Sequence, residues 1–245
     1  MPLLAQISDL HLDGTRRTAE RAARVMAYLE SLTTPVDALL VTGDIADHGE
    51  IAEYEEAARL LAAPFPVLTC PGNHDIRATY RKALLGEEPA DGPVNRLHLL
   101  DGVAVLMCDS TIPGHDEGLL DDETLGWIDA GLKALPTGTS ALIAFHQPPV
   151  AVHHPLPDAS RLQQPDALAI LLDDHPEVIA VLTGHAHTAG ASIFAGRPLI
   201  ISPATTWTLQ LPWQGPELID RTQPPGLAFH VVGGTAITTH FRVVP

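Results

Sequence analysis

The sequence is poor in cysteine and in positive charge, and it has no long apolar run. Cys70 and Cys108 are the only cysteines among 245 residues. Two thiols are too few for a disulfide framework, so we expect both to be reduced and buried. No stretch approaches the roughly 18 consecutive apolar residues of a membrane-spanning helix. The N-terminus, MPLLAQISDLHLDG, lacks the basic region, apolar stretch and cleavage site of a secretory signal. We therefore expect a cytoplasmic protein with no membrane association.

Basic residues are outnumbered by acidic ones. Lysine and arginine total 14 and aspartate and glutamate total 30, which gives a net charge of −16. Such a field repels a long polyanion unless basic residues form a stripe, and none is visible in the sequence. We therefore expect no polymeric nucleic acid as a partner. A small anion can still bind where cations reverse the local charge.

Short apolar runs alternate with segments in which apolar residues recur at helical spacing. Helices are predicted at residues 16–32, 50–62, 121–135 and 165–173. Strands are predicted at residues 2–8, 37–42, 65–69, 95–100, 103–108, 139–145, 178–183, 191–194, 198–202, 227–232 and 236–243. The last four strands are expected to be antiparallel. The first half thus has the pattern of βαβ units and the second adds hairpins, which two packed mixed sheets flanked by helices would accommodate.

The segment 203–225 is the nearest feature to a domain boundary. It contains five prolines together with Trp207 and Trp213, so we predict a cap or packed loop within a single domain that covers residues 1–245. The two indoles could form an apolar lid over a nucleobase or a contact in a homodimer. Plain packing of the cap is the alternative.

Residues of metal-binding types follow five of the predicted strands. These residues are Asp9, His11, Asp44, Asn73, His146, His185 and His187. Since loops at the carboxyl ends of neighbouring strands converge in sheets with helical crossovers, we expect the side chains to meet at one edge. In the D-x-H and H-x-H pairs, residues two apart in an extended chain point to the same side, so both can reach one ion.

Asp44 and Asn73 add oxygen ligands to the histidines. The carboxylate of Asp44 has two oxygens and can bridge two cations. Asn73 offers a carbonyl oxygen, and Gly72 is expected to let the backbone turn tightly before it. Each motif alone is also explained by turn preferences, by surface histidines or by a core histidine. Their joint occurrence favours a metal site.

In the order D-x-H, G-D, G-N-H-D, H and G-H-x-H, the motifs resemble those of the calcineurin-like metallophosphoesterase superfamily. The resemblance runs from Asp9 to His187 and implies an α/β fold. It implies a four-layer αββα sandwich, with two central mixed β-sheets between helices and a dimetal centre at the sheet ends. One ion would then be held by Asp9, His11, Asp44 and His187. The second would be held by Asp44, Asn73, His146 and His185.

The resemblance also implies a reaction. Two divalent or mixed-valence transition metal ions are expected, and manganese, iron and zinc suit these ligands equally. Two cations lower the pKa of a shared water, and the hydroxide attacks phosphorus in line with the leaving oxygen. His74, claimed by neither ion, is the predicted general acid or charge stabiliser. By resemblance to related phosphatases, Asp47 is predicted to orient His74, with Asp75 as the alternative.

The stretches ISDLHL, VTGDIADHGE, PGNHD, AFHQPPV, LTGHAHT and SPATT look like the bacterial class III cyclic nucleotide phosphodiesterases. Related Ser/Thr phosphatases carry a phosphate-clamping arginine where this chain has His48. We therefore predict a small phosphodiester substrate, 3′,5′-cyclic AMP or a related cyclic nucleotide first among them. A phosphomonoesterase, glycerophosphodiesterase or nuclease on the same site is the alternative, and a non-catalytic scaffold is a further one. Gln147 replaces a histidine common in the phosphodiesterase branch, which leaves its contact open.

Overall fold

The computed structural model describes all 245 residues as strands and helices joined by short loops. The strands are β1 (Leu3–Ile7), β2 (Ala38–Thr42), β3 (Val67–Cys70), β4 (Arg96–Leu100), β5 (Val103–Met107), β6 (Gly118–Leu119), β7 (Ser140–Ala144), β8 (Leu162–Gln163), β9 (Val178–Thr183), β10 (Gly190–Phe194), β11 (Arg197–Ile201), β12 (Thr208–Leu209), β13 (Ile219–Asp220), β14 (Gly226–Gly233) and β15 (Ala236–Val243). The helices are α1 (Arg16–Glu30), α2 (Ile51–Leu60), α3 (Arg77–Thr79), which continues into a π-helix (Tyr80–Leu85), α4 (Asp122–Lys133), α5 (Pro155–Ala159) and α6 (Pro165–Asp173).

Two mixed sheets form the centre of the molecule. One has the strand order β15-β14-β1-β2-β3 and the other the order β10-β11-β9-β7-β5-β4. In the first sheet, β1, β2 and β3 are parallel, and β14 and β15 add an antiparallel edge. The expectation that all of the last four strands are antiparallel is wrong for β11. Strands β10 and β11 form an antiparallel hairpin, and β11 pairs in parallel with its other neighbour, β9.

Alternation along each strand decides which layer its side chains join. In β2, Ala38 and Leu40 belong to a core that also contains residues of β5, β7 and β9, whereas Leu39 and Val41 pack with residues of α1 and α2. On the second sheet, α4 and α6 cover the outer face. Strands buried on both faces are continuously apolar. The predicted four-layer sandwich of two mixed sheets between helices is confirmed.

The short elements escaped prediction. Neither the π-helix nor α5 is long enough to show a helical repeat, and β12 and β13 pair over only two residues each within the segment 203–225. In that segment Trp207 is half-buried, whereas Trp213 is 72% exposed. The single-domain boundary stays a prediction. Both cysteines are buried and free, as expected, and none of the helices is long and apolar enough to cross a membrane.

A buried glutamine links the two sheets. The Gln6 amide on β1 donates to the Thr42 hydroxyl and to the Thr183 carbonyl on β9, both at 3.0 Å. Its Oε1 therefore accepts, and His230 Nε2 on β14 lies 3.0 Å away as the donor. The Thr239 hydroxyl contacts the other nitrogen of His230 at 2.8 Å. With no charged partner, burial lowers the pKa of His230 to about 3.

This buried histidine makes the fold sensitive to acid. The pKa of His230 in the unfolded chain is near 6.5, so its contribution to stability is present above that pH and is lost as the pH falls towards 3. Between about pH 7.5 and about pH 5.5 the loss amounts to about 1.4 kcal/mol of unfolding free energy. We expect His230→Gln to be less stable than the wild type at neutral pH but to lose correspondingly less on acidification, as measured by urea unfolding at both pH values.

The exposed His240 on the adjacent strand provides the control, because His240→Gln should keep the wild-type pH dependence. Equal losses in the wild type and His230→Gln would contradict the assignment of acid sensitivity to His230.

Candidate metal centre

Seven side chains meet where the parallel strands of the two sheets end. In the first sheet, Asp9 and His11 follow β1, Asp44 follows β2 and Asn73 follows β3. In the second sheet, His146 follows β7, and the H-x-H pair follows β9. A 3.0 Å hydrogen bond from Gly184 N to the His146 carbonyl joins the two loops of the second sheet. The structure thus brings together the residues that the sequence indicated, at one edge of both sheets.

The local conformation differs from the one expected. The D-x-H and H-x-H pairs are not extended: φ is 54° at Asp9, 44° at His11, 64° at His185 and 50° at His187. Eight non-glycine residues of the chain are left-handed, and five of them belong to the seven-residue set, Asp44 being the fifth. Since this conformation is costly for such residues, the surrounding hydrogen bonds must hold it. Each pair bends, so that His185 and His187 reach different halves of the cluster.

In one half, two imidazoles face each other through their Nε2 nitrogens. His187 Nδ1 lies 3.0 Å from the Trp207 carbonyl, and His11 Nδ1 lies 2.8 Å from the Asp47 carboxylate. These oxygens accept hydrogen bonds, so the neutral rings carry their protons on Nδ1. The two Nε2 atoms, 3.1 Å apart, therefore present lone pairs to each other. Asp9 Oδ1 completes this group, 3.4 Å from His187 Nε2.

The other half repeats the arrangement. His146 Nδ1 donates to the Thr42 carbonyl at 2.7 Å, which leaves Nε2 facing inward, 3.3 Å from His185 Nδ1. Asn73 Oδ1 lies 3.1 Å from the same nitrogen of His185. Asp44 Oδ2 stands between the halves, 3.2 Å from His146 Nε2 and 3.5 Å from His11 Nε2.

The electrostatics show that each half stabilises one positive charge. Burial opposes protonation of His146, but the adjacent Asp44 carboxylate outweighs it and raises the pKa of His146 to about 9. Burial and the charge of His146 lower the pKa of His185 to about 3. In the first half, burial opposes protonation of His11, but the hydrogen bond that His11 donates to Asp47 and the negative charges of Asp44 and Asp9 together outweigh it and raise the pKa of His11. Burial and the charge of His11 lower the pKa of His187. Converging lone pairs that favour a cation are what a metal site requires.

Asp47 contacts His74 mainly through its main chain. Its carboxylate binds His11, whereas its main-chain carbonyl lies 2.8 Å from His74 Nδ1, with the carboxylate 3.6 Å away. His74 N donates to Asp44 Oδ1 at 3.0 Å. The alternative, Asp75, is buried and accepts the N–H groups of residues 45, 46 and 72, so it joins two loops instead of orienting His74.

Several supporting contacts were not visible in the sequence. Trp207 stacks on His187 with ring centroids 3.8 Å apart, besides accepting its hydrogen bond. The Ser160 hydroxyl lies 3.0 Å from the outer nitrogen of His185. Gln147, buried, accepts a hydrogen bond from Ser110 at 2.6 Å, so it braces a loop and does not extend the cluster. A cleft of about 750 Å³ opens over the cluster and is lined by His74 and Trp207 among others.

The backbone makes the expected tight turn after Gly72, where Asp75 N donates to the Gly72 carbonyl at 3.0 Å. The φ of Gly72 is not positive. Glycine is needed here because a Cβ would lie less than 3.0 Å from both the carboxylate and the main-chain nitrogen of Asp44. Two loops thus approach each other so closely that only glycine fits between them.

The chain resembles known proteins in both sequence and fold. The family model for calcineurin-like phosphoesterases matches residues 2–189. A cAMP/cGMP dual specificity phosphodiesterase of Mycobacterium tuberculosis is 33% identical over 222 residues, which is 85% of this chain and 69% of that protein. A glycerophosphodiester phosphodiesterase of Enterobacter lignolyticus is 30% identical over 215 residues, 83% of this chain and 77% of that protein. Among solved structures, a dimetal phosphatase from Danio rerio superimposes with a TM-score of 0.70 over 100% of this chain and 99% of its own, at 14% identity, and so shares the fold.

The close approach at Gly72 can be tested through metal content. We expect Gly72→Ala to displace the Asp44 carboxylate and to lower both the manganese retained per chain and the urea midpoint. Gly92→Ala is the matched control, because a Cβ there meets nothing within 4 Å and should change neither value. Elemental analysis after manganese loading and gel filtration gives the first measurement. Wild-type metal content in Gly72→Ala would show that the packing of Asp44 against Gly72 does not support the site.

Proposed function

Since the chain belongs to the calcineurin-like phosphoesterase family, and is thus a metal-dependent phosphoester hydrolase, we propose that it is a dinuclear phosphodiesterase for small phosphodiesters. Its leading substrate is 3′,5′-cyclic AMP or a related cyclic nucleotide. The observation that carries the proposal is the Asp44 carboxylate, placed within 3.5 Å of imidazole nitrogens in both halves of the cluster. One shared carboxylate between two sets of lone-pair donors is the arrangement that a pair of cations needs.

The donors fit two transition metal ions, of which manganese, iron and zinc suit the nitrogen and oxygen set. One ion would be held by Asp9, His11, Asp44 and His187. The other would be held by Asp44, Asn73, His146 and His185. When bound, such ions activate water and neutralise phosphate charge.

His74 is proposed to assist the leaving group. It lines the cleft beside the cluster and is 38% exposed at its side chain. The Asp47 carbonyl accepts from Nδ1, so Nε2 is the atom left to meet a substrate. In the imidazolium form Nε2 carries the proton that a departing alkoxide needs. Asp47 serves as a positioning residue for His74 through its carbonyl and for His11 through its carboxylate.

The preference for a diester follows from the shortage of cationic side chains. Of the residues that line the cleft, only Arg17 and Arg221 are permanently positive, and neither neighbours the cluster in the sequence. A diester phosphate carries one negative charge and needs fewer cations than a monoester dianion. The Mycobacterium tuberculosis relative, named for cyclic AMP and cyclic GMP, supports a cyclic nucleotide as that diester.

The second candidate is a glycerophosphodiesterase. The Enterobacter lignolyticus relative, of nearly the same coverage, favours it, and the open cleft would admit such a head group. We also propose that the protein acts in the cytoplasm.

A substrate panel tests the class of ester. With manganese-loaded protein we expect kcat/KM for bis-p-nitrophenyl phosphate to exceed that for p-nitrophenyl phosphate by about tenfold or more, because one phosphate charge suits the cleft. Cyclic AMP and glycerophosphocholine should then be compared by product chromatography. Asn73→Ala should lower turnover of every diester by about 100-fold or more. Faster turnover of the monoester would refute the diester assignment.

The role of His74 is tested by leaving groups of different stability. An alkoxide departs poorly without a proton, whereas p-nitrophenolate departs readily. We therefore expect His74→Gln to slow cyclic AMP hydrolysis about 10²- to 10⁴-fold but bis-p-nitrophenyl phosphate hydrolysis much less. His115→Gln, in an exposed loop, should change neither rate. An equal loss on both substrates would mean that His74 acts on phosphate binding and not on the leaving group.

A further inference from the structure

The cleft extends beyond the cluster along a wall built by the segment 203–225. Trp207 stacks on His187, and the Arg221 guanidinium lies 5.9 Å from the centre of the Trp207 ring. Arg221 and His187 thus both contact the Trp207 ring and line the same cleft. Arg221 itself lies outside the seven-residue cluster.

The position of Arg221 is fixed from helix α1. Arg17 donates to the Arg221 carbonyl, and Arg21 donates to the carbonyls of Thr205 and Gln223 at 2.8 and 2.7 Å. The main chain on both sides of Trp207 is therefore held against α1. A guanidinium that rests on an aromatic face with its main chain anchored is preorganised, and less side-chain freedom is lost when it binds a ligand.

The N–H donors of the Arg221 side chain have no hydrogen-bond partner within the chain. Its guanidinium makes no hydrogen bond or ion pair within the chain, although it lines the cleft and aspartate precedes it in the sequence; Asp220 is engaged by Thr222 instead. An arginine fork presents parallel N–H groups that fit two adjacent acceptors.

Charge balance indicates what those acceptors are. Outside the seven-residue cluster, the charged side chains of the cleft are Arg17 and Arg221 with Asp13, Asp47 and Asp116. Two guanidinium groups against three carboxylates leave no excess of positive charge, so this part of the cleft does not select a second anion. It suits a neutral group that offers both acceptors and donors. Leu156, Trp207 and Leu209 add apolar surface for a flat ring.

We infer that Arg221 reads the base of the substrate and makes the cleft favour guanine over adenine nucleotides. Guanine presents two adjacent acceptors, O6 and N7, to which arginine binds through both arms of its fork. Adenine presents N7 beside the N6 amino group, whose hydrogens oppose those of the guanidinium. The inference rests on the proposed function for the nucleotide class of the substrate and adds the identity of the base.

The test is a ratio measured in two ways. We expect kcat/KM for cyclic GMP to exceed that for cyclic AMP by about tenfold. We also expect 5′-GMP to inhibit bis-p-nitrophenyl phosphate hydrolysis about tenfold more tightly than 5′-AMP. In Arg221→Gln both ratios should fall to unity or invert, because the glutamine amide pairs with N6 and N7 of adenine. Arg24→Gln, an exposed residue of the same helix as Arg17, should keep the wild-type ratios.

A third variant separates base reading from plain attraction. Arg221→Lys keeps the positive charge but loses the fork, so it should lose the guanine preference. If Arg221→Lys keeps both ratios, or if the wild type treats guanine and adenine alike in both measurements, the inference is overturned. If neither cyclic nucleotide is hydrolysed but the inhibition ratio holds and responds to Arg221→Gln, the proposed cyclic nucleotide activity fails and the base reading stands.

Discussion

Ring nitrogens that point at one another are the constraint on which the rest of this molecule depends. His11 and His187 meet through their Nε2 atoms at 3.1 Å, and His146 Nε2 lies 3.3 Å from His185 Nδ1. Such an arrangement repels itself unless positive charge lies among the donors. The protein maintains it because each outer ring nitrogen has a partner elsewhere: a carboxylate, two main-chain carbonyls and a hydroxyl. The left-handed backbone at Asp9, His11, Asp44, His185 and His187 is a second cost of the same arrangement.

The two sheets make this cluster possible because their carboxyl ends meet at one edge. Asp44 lies on the first sheet and His146 on the second, yet 3.2 Å separates their side-chain atoms. Gln6 fixes the distance between the sheets below the site, through hydrogen bonds to Thr42 on one sheet and Thr183 on the other. The fold and the chemistry are therefore linked through buried polar contacts as well as through the apolar layers.

The sequence allowed the framework and the cluster to be predicted because both rest on local signals. Apolar periodicity placed α6 and β9 at the bounds that the structure has, and the residue types after each strand end identified the seven side chains. Contacts between distant segments left no such signal. Asp47 was expected to orient His74, but the sequence did not show that its main-chain carbonyl would make the contact while its carboxylate binds His11. The extended geometry assumed for Asp9 and His11 failed because loop packing overrides local preference. Nothing in the sequence indicated that Trp207 would hold His187.

Because Trp207 stacks on His187 and accepts its hydrogen bond, the metal centre depends on residues that follow its last proposed ligand. All seven proposed metal ligands lie before position 189, where the family match ends. Yet the carbonyl that fixes His187 belongs to residue 207, and β14, the antiparallel neighbour of β1, begins at residue 226. A fragment cut after His187 would keep all seven donors, expose the edge of β1 and free the His187 imidazole to rotate. The final quarter of the polypeptide contributes no proposed metal ligand, but through the Trp207 carbonyl it orients His187.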